Sequence, residues 1–163
     1  MLFAELGEHV CDAPAADAIR LKPLKDTVKI YSHHEVGRSM KRVLFVGLDP
    51  ATVDFSDPAL PPGMTAEKIH AGVKIALADF AGRGWHAQNC FIKPDETAIP
   101  TIEHFLTSDV YDCVVIGAGV RLPRNRLVLF EAVVNAIHRE APQAAIAFNT
   151  RPEDSGEAAS RWI

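Results

Sequence analysis

The sequence predicts a three-layer α/β fold: a parallel sheet of about four strands, order 2-1-3-4, between two layers of helices. Three observations predict it. Short continuous apolar runs end in glycine or asparagine: Val43-Leu44-Phe45-Val46 before Gly47, Val114-Val115-Ile116 before Gly117, and Ala144-Ala145-Ile146-Ala147-Phe148 before Asn149. Unbroken rather than alternating apolar runs suggest strands covered on both faces, as in parallel sheets. Helical periodicity fills the gaps, so the order from Met40 reads βαβαβαβα, with right-handed crossovers and helices on both faces.

Residues 1–39 read differently. They hold His9, Cys11, His33 and His34 and little periodicity. Met40-Lys41-Arg42 is a short basic lead into the first strand. Residues 40–163 are therefore expected to form one autonomous domain behind an N-terminal extension, with Met40 a candidate native start. The alternative is an ordered extension packed on the sheet edge, with Val28-Lys29-Ile30-Tyr31 as a strand.

Strand 1 begins at Val43. A long loop follows from Gly47 to Thr65, stiffened by Pro50, Pro58, Pro61 and Pro62. Thr65 is a plausible N-cap, after which Ile69, Val73, Leu77 and Phe80 fall on one helical face. Gly82 and Gly84 suit the helix exit. Strand 2, from about Trp85 to Ile92, carries His86, Gln88 and Asn89 and reads as an edge strand. A shorter helix follows Thr97 with Ile99, Ile102 and Leu106 inward, and Pro100 is tolerated in its first turn. Strand 3 begins at Cys113. The strongest helix spans Asn125 to Arg139 on a stripe of Leu127, Phe130, Val134 and Ile137, stopped by Pro142. Strand 4 begins at Ala144. Thr150-Arg151-Pro152-Glu153 matches a capping box for a last helix ending near Trp162.

The chain has 163 residues, 48% hydrophobic and 23% charged, which excludes collagen-like and disordered classes. Its net charge of −4 argues against a dedicated nucleic-acid binder. No apolar run approaches the ~18–20 residues of a membrane span. The start, Met1-Leu2-Phe3-Ala4-Glu5-Leu6, lacks the basic lead and long apolar run of a signal peptide. Three cysteines, Cys11, Cys90 and Cys113, show no paired spacing and read as reduced thiols. The expected location is cytoplasmic.

At the level of topology alone, residues 40–163 resemble a shortened flavodoxin-like or receiver-like architecture. In open α/β sheets a ligand sits beyond the carboxyl ends of the strands, where strand order reverses. Here that reversal lies between strands 1 and 3. It brings Gly47-Leu48-Asp49-Pro50 beside Gly117-Ala118-Gly119-Val120-Arg121, flanked by Asn149-Thr150-Arg151. Flavin binding rests on the analogy of fold only.

Several residues at this rim have chemistry to offer. Asp49 can bind Mg²⁺, accept a phosphoryl group or hold a ligand hydroxyl; alternatively it caps the turn before Pro50. The phospho-aspartate patterns are incomplete. No Lys occupies the late position of receiver domains, and Ala51 stands where haloacid-dehalogenase-like phosphatases need a second Asp. Gly117 and Gly119 resemble the first part of a dinucleotide fingerprint without its third glycine. They let a backbone approach a ligand closely, with helix N–H groups for an anion, or they serve strand–helix packing. Arg121, Arg124 and Arg126 put cations beside a helix start, where they oppose the macrodipole. Arginine's fork suits carboxylate or phosphate; the alternative is solvated or locally paired cations. Asn149 offers a donor and an acceptor, Thr150 an N-cap, and Arg151 further charge. In the long loop, Thr52, Asp54 and Asp57 supply polar contacts, and Phe55, Leu60 and Met64 can fold it down as a lid; the alternative is a surface connection of Asx turns.

The histidines carry less. His9, Cys11, His33 and His34 match no familiar zinc spacing. His70, His104 and His138 read as helix-surface residues and His86 as part of the edge strand. No Gly-x-Ser-x-Gly elbow is present. Cys90 and Cys113 read as small apolar residues.

The leading expectation is a domain that binds a small anionic ligand, phosphate-bearing ligands included. Gly117, Gly119 and Arg121 hold the anion, and Asp49, Thr52 and Asn149 make polar contacts. Two alternatives stay open: a Mg²⁺-assisted enzyme using Asp49 at the same rim, and a receiver-like interaction module without catalysis, for which a homodimer is one form. The cofactor is left open.

Overall fold

A computed structural model describes residues 40–58 and 60–163, apart from the Arg124 side chain. The N-terminal extension, the strand at Val28–Tyr31 and the His9, Cys11, His33, His34 group lie outside the described residues.

The strands form as their apolar runs require. Strand β1 (Arg42–Leu48) pairs in parallel with β2 (His86–Ile92) on one side and with β3 (Cys113–Ile116) on the other. Strand β4 (Ala145–Phe148) pairs in parallel with β3, so the order is β2-β1-β3-β4. Phe45 stands opposite Asn89 and Val115, so alternate residues of all four strands share a face. Val43, Leu44, Phe45 and Val46 are all buried, because helices cover both faces.

The two cores follow from that alternation. On one face Leu44, Val46, Cys90, Ile92, Val114 and Ile116 pack against α2 (Ala98–Ser108) and α4 (Leu127–Glu140). On the other, Val43, Phe45, Cys113, Val115 and Ala147 pack against α1 (Ala66–Gly82) and α5 (Ser155–Ser160). Each fully buried Val, Leu, Ile or Phe contributes about 1.5–3 kcal/mol. A short helix, α3 (Ala118–Arg121), follows β3 directly. No helix among the described residues is long and apolar enough to cross a membrane.

The helix ends are set chemically. The Thr65 hydroxyl accepts from the Lys68 N–H at 3.3 Å. Past α1, Gly84 takes φ +72°, a conformation that favours glycine, and Trp85 N–H reaches back to the Phe80 carbonyl at 3.0 Å. Two expected details differ. The buried face of α4 is Val133, Ala136 and Ile137, and Leu127 is 60% exposed. At about 100° per residue, Leu127 lies roughly 120° from Val133, off the inward face. The capping box belongs to a 3-10 turn over Pro152–Asp154 that precedes the last helix, and Asp154, not Glu153, supplies its carboxylate. That carboxylate accepts from the N–H groups of Thr150 and Arg151 and from the Thr150 hydroxyl. The helix itself ends at Ser160.

Tyr111 lies buried beneath the sheet edge and donates its hydroxyl to the Gln88 amide oxygen. Burial pushes its phenol, and the thiols of Cys90 and Cys113, up to about 12. These groups stay protonated in the folded chain at a pH where the unfolded chain ionises them. Their contribution to stability is therefore intact below pH 9 and lost between 9 and 12. Urea unfolding at stepped pH is expected to show a flat plateau to about pH 9. It should then fall by about 1.4 kcal/mol per pH unit for each buried thiol. Cys90→Ala should make that fall shallower.

Candidate functional site

The carboxyl ends of β1 and β3 meet as the topology requires. Gly117 N–H donates to the Val46 carbonyl at 2.8 Å, which carries the ladder one residue past β3. A Cβ at Gly117 would lie 3.1 Å from that carbonyl oxygen, so glycine there serves close strand packing. A Cβ at Gly119 would meet only Leu48, at an ordinary 3.6 Å. Nothing in the protein's own packing demands glycine at 119, and its small size keeps the space beyond it open.

That space is a cavity of about 200 Å³. Its floor is Phe45, Gly47, Phe91 and Gly117 on the α1 face of the sheet; Ile69 and Val73 of α1 form one wall. Ala118 and Gly119 of α3, Leu122 and Pro123 form another, and Asn149 to Pro152 close the end. The loop after β1 folds over it through Val53, Asp54, Asp57, Leu60, Pro61 and Met64. Successive tight turns hold that loop: Asp57 N–H to Asp54 O at 3.2 Å, Leu60 N–H to Asp57 O at 3.0 Å, and Met64 N–H to Pro61 O at 3.2 Å. Gly63 takes φ +70° within it. Leu60 and Met64 line the cavity as a lid would, whereas Phe55 is 40% exposed and lies outside the lining.

The sequence-predicted residues separate into two groups. Gly117, Gly119 and Asn149 line the cavity; Asp49, Thr52 and Arg121 do not. The Asp49 carboxylate accepts from Ala51 N–H at 3.0 Å and caps a 3-10 turn over Pro50–Thr52. Thr52 donates its hydroxyl to the Asp49 carbonyl at 2.8 Å. Arg121 donates Nη2 to the Asn149 carbonyl at 2.6 Å and stacks over Phe148, 5.8 Å from its ring centroid. These contacts tie chain segments together.

Asn149 does the same with its side chain, although it borders the cavity. It is 2% exposed. Its Oδ1 accepts from Ala118 N–H at 2.8 Å and its Nδ2 donates to Ser155 Oγ at 2.8 Å. One amide thus joins β4, α3 and α5. The N–H groups of Ala118 and Val120 are thereby already bonded, the latter to the Gly117 carbonyl at 3.0 Å.

Arg126 stands apart. It lines the cavity, and its Nε and Nη1 are buried without a hydrogen-bond partner among the described residues. Arg121 also has a buried unbonded Nε, but its Nη2 is engaged and it lies outside the lining. Two acids, Asp54 and Asp57, line the same cavity. Hydrogen bonds from the Ser56 hydroxyl and N–H, at 2.6 and 3.0 Å, hold the Asp54 carboxyl below the usual range, with a smaller contribution from the Arg126 charge. Both Ser56 bonds fall on Asp54 Oδ1, and no hydrogen bond joins Asp54 to Arg126 among the described residues. An unbonded buried guanidinium costs free energy that an anion can recover.

No family model, no curated protein and no solved structure matches this chain. The site must therefore be read from its own geometry. Among the described residues no group of three or more His, Cys, Asp or Glu is placed to hold a metal ion. In the sequence Arg126 is one of three neighbouring cations. Its distinction comes from the break at Leu122 and Pro123, which ends α3 and starts α4 afresh at Leu127.

Asn149→Ala leaves Ala118 N–H and Ser155 Oγ without their partner. It is expected to destabilise the fold by about 1–3 kcal/mol, read as a lower urea midpoint. Asp49→Ala, which removes an exposed cap, should cost about 0.5–2 kcal/mol.

Proposed function

We propose that this chain binds a small anionic ligand in the cavity at the carboxyl ends of β1 and β3. The observation that carries the reading is that Nε and Nη1 of Arg126 are buried on the cavity lining with no hydrogen-bond partner among the described residues. Arg126 takes the anion in place of Arg121, whose guanidinium already holds the Asn149 carbonyl. Gly47 and Gly119 leave room for the ligand, and Asn149 keeps α3 in position beside it. Leu60 and Met64 cover it from the loop. The position is the strand-order reversal that flavodoxin-like sheets use for ligands. The buried free thiols Cys90 and Cys113 fit a reducing, cytoplasmic setting.

Binding is favoured over Mg²⁺-assisted catalysis by Asp49, because that carboxylate faces Ala51 N–H and lies outside the cavity lining. A ligand panel read by thermal shift tests the proposal, using organic acids, sugar phosphates, nucleotides and flavins with and without Mg²⁺. A ligand at 100 times its Kd adds about 2.7 kcal/mol, a shift of several degrees at this size. Arg126→Ala should weaken the hit by about 1.5–3 kcal/mol, the loss of a charged hydrogen bond. Asp49→Asn should leave it unchanged. A flat panel, or a hit indifferent to Arg126→Ala, would overturn the assignment.

A further inference from the structure

We infer that the cavity takes a small organic acid with an apolar, ring-sized body, an arylcarboxylate, in preference to a nucleotide or a sugar phosphate. The inference rests on the anion-binding reading above and narrows it.

Size is the first constraint. The cavity encloses about 200 Å³. An apolar cavity of about 150 Å³ holds a benzene ring, whereas drug-sized ligands fill about 300–1,000 Å³. A ring and a carboxylate fit within that space; a base, sugar and phosphate would have to extend beyond it.

The walls are the second. Phe45, Phe91, Ile69, Val73, Leu60 and Met64 present aromatic and aliphatic surface from the sheet, α1 and the loop. Sugar hydroxyls buried against them would lose water without a replacement partner. A ring gains area burial and aromatic contact there.

Charge is the third. Arg126 supplies two buried nitrogens without a partner among the described residues, and Arg151, Asp54 and Asp57 also line the cavity. Asp54 is held ionised by Ser56. A carboxylate brings one negative charge, which the guanidinium offsets.

Calorimetric titration of the full chain with phenylacetate, 2-phenylethanol, glucose 6-phosphate and AMP tests this. Phenylacetate should bind at least about tenfold more tightly than each of the other three. Arg126→Gln should erase its advantage over 2-phenylethanol, which has the same ring without the charge. Gly119→Leu fills the cavity from α3 and should weaken both phenyl probes, while thermal unfolding stays cooperative. Tighter, Arg126-dependent binding of glucose 6-phosphate or AMP would overturn the arylcarboxylate inference and leave the anion site standing. Absence of Arg126-dependent binding for every probe overturns both.

Discussion

Strand β1 is paired on both sides, and the chain leaves it in one direction to reach β2 and returns beyond it to form β3. Everything at the site depends on that constraint. The connections from β1 and from β3 depart over opposite faces, toward α1 and toward α3 and α4, so a gap opens between them at the carboxyl edge. Parallel pairing puts all four strand ends on that edge. The gap is floored by residues whose burial the sheet has already enforced, Phe45 and Gly117 among them.

A gap of this kind would collapse or flood unless its rim were fixed. Asn149 fixes it with two side-chain hydrogen bonds, and Arg121 adds a third to the Asn149 backbone. The buried amide has a donor and an acceptor, and both are used, which is what makes its burial affordable. Of the N–H groups at the start of α3, that of Ala118 is taken by Asn149 and that of Val120 by the Gly117 carbonyl. On the proposed function, recognition of a negative charge falls to Arg126, whose Nε and Nη1 have no partner among the described residues. On that proposal, positioning and recognition fall to different residues.

The sheet was legible because its strands are continuous apolar runs, and burial on two faces is the only environment that suits Val43 to Val46 or Val114 to Ile116. The polar content of β2 likewise placed it at an edge. The position of the cavity was legible, since strand order alone locates the β1/β3 rim. Its residues were legible only in part. Asp49 offers the same carboxylate to a metal, a ligand or a backbone N–H, and only the turn at Pro50–Thr52 decides that Ala51 takes it. Arg121 and Arg126 are equivalent in a one-dimensional reading. The four-residue helix α3 and the break before α4 turn one toward Asn149 and the other onto the cavity lining. Leu127 shows the same limit: it is the first residue of α4 and lies off the face that Val133, Ala136 and Ile137 bury.

The central claim is that the Arg126 guanidinium is an unspent donor waiting for an anion. The most direct measurement is the Nε–Hε resonance of Arg126 in ¹H–¹⁵N NMR spectra, followed while acetate, phenylacetate or inorganic phosphate is added. The account predicts that at least one anion moves this resonance, slows its exchange with water, and shifts the amides of Gly47 and Gly119 with it. Ala51 N–H, bonded to Asp49, should stay in place. An Arg126 resonance that ignores every anion, while residues elsewhere respond, would contradict it.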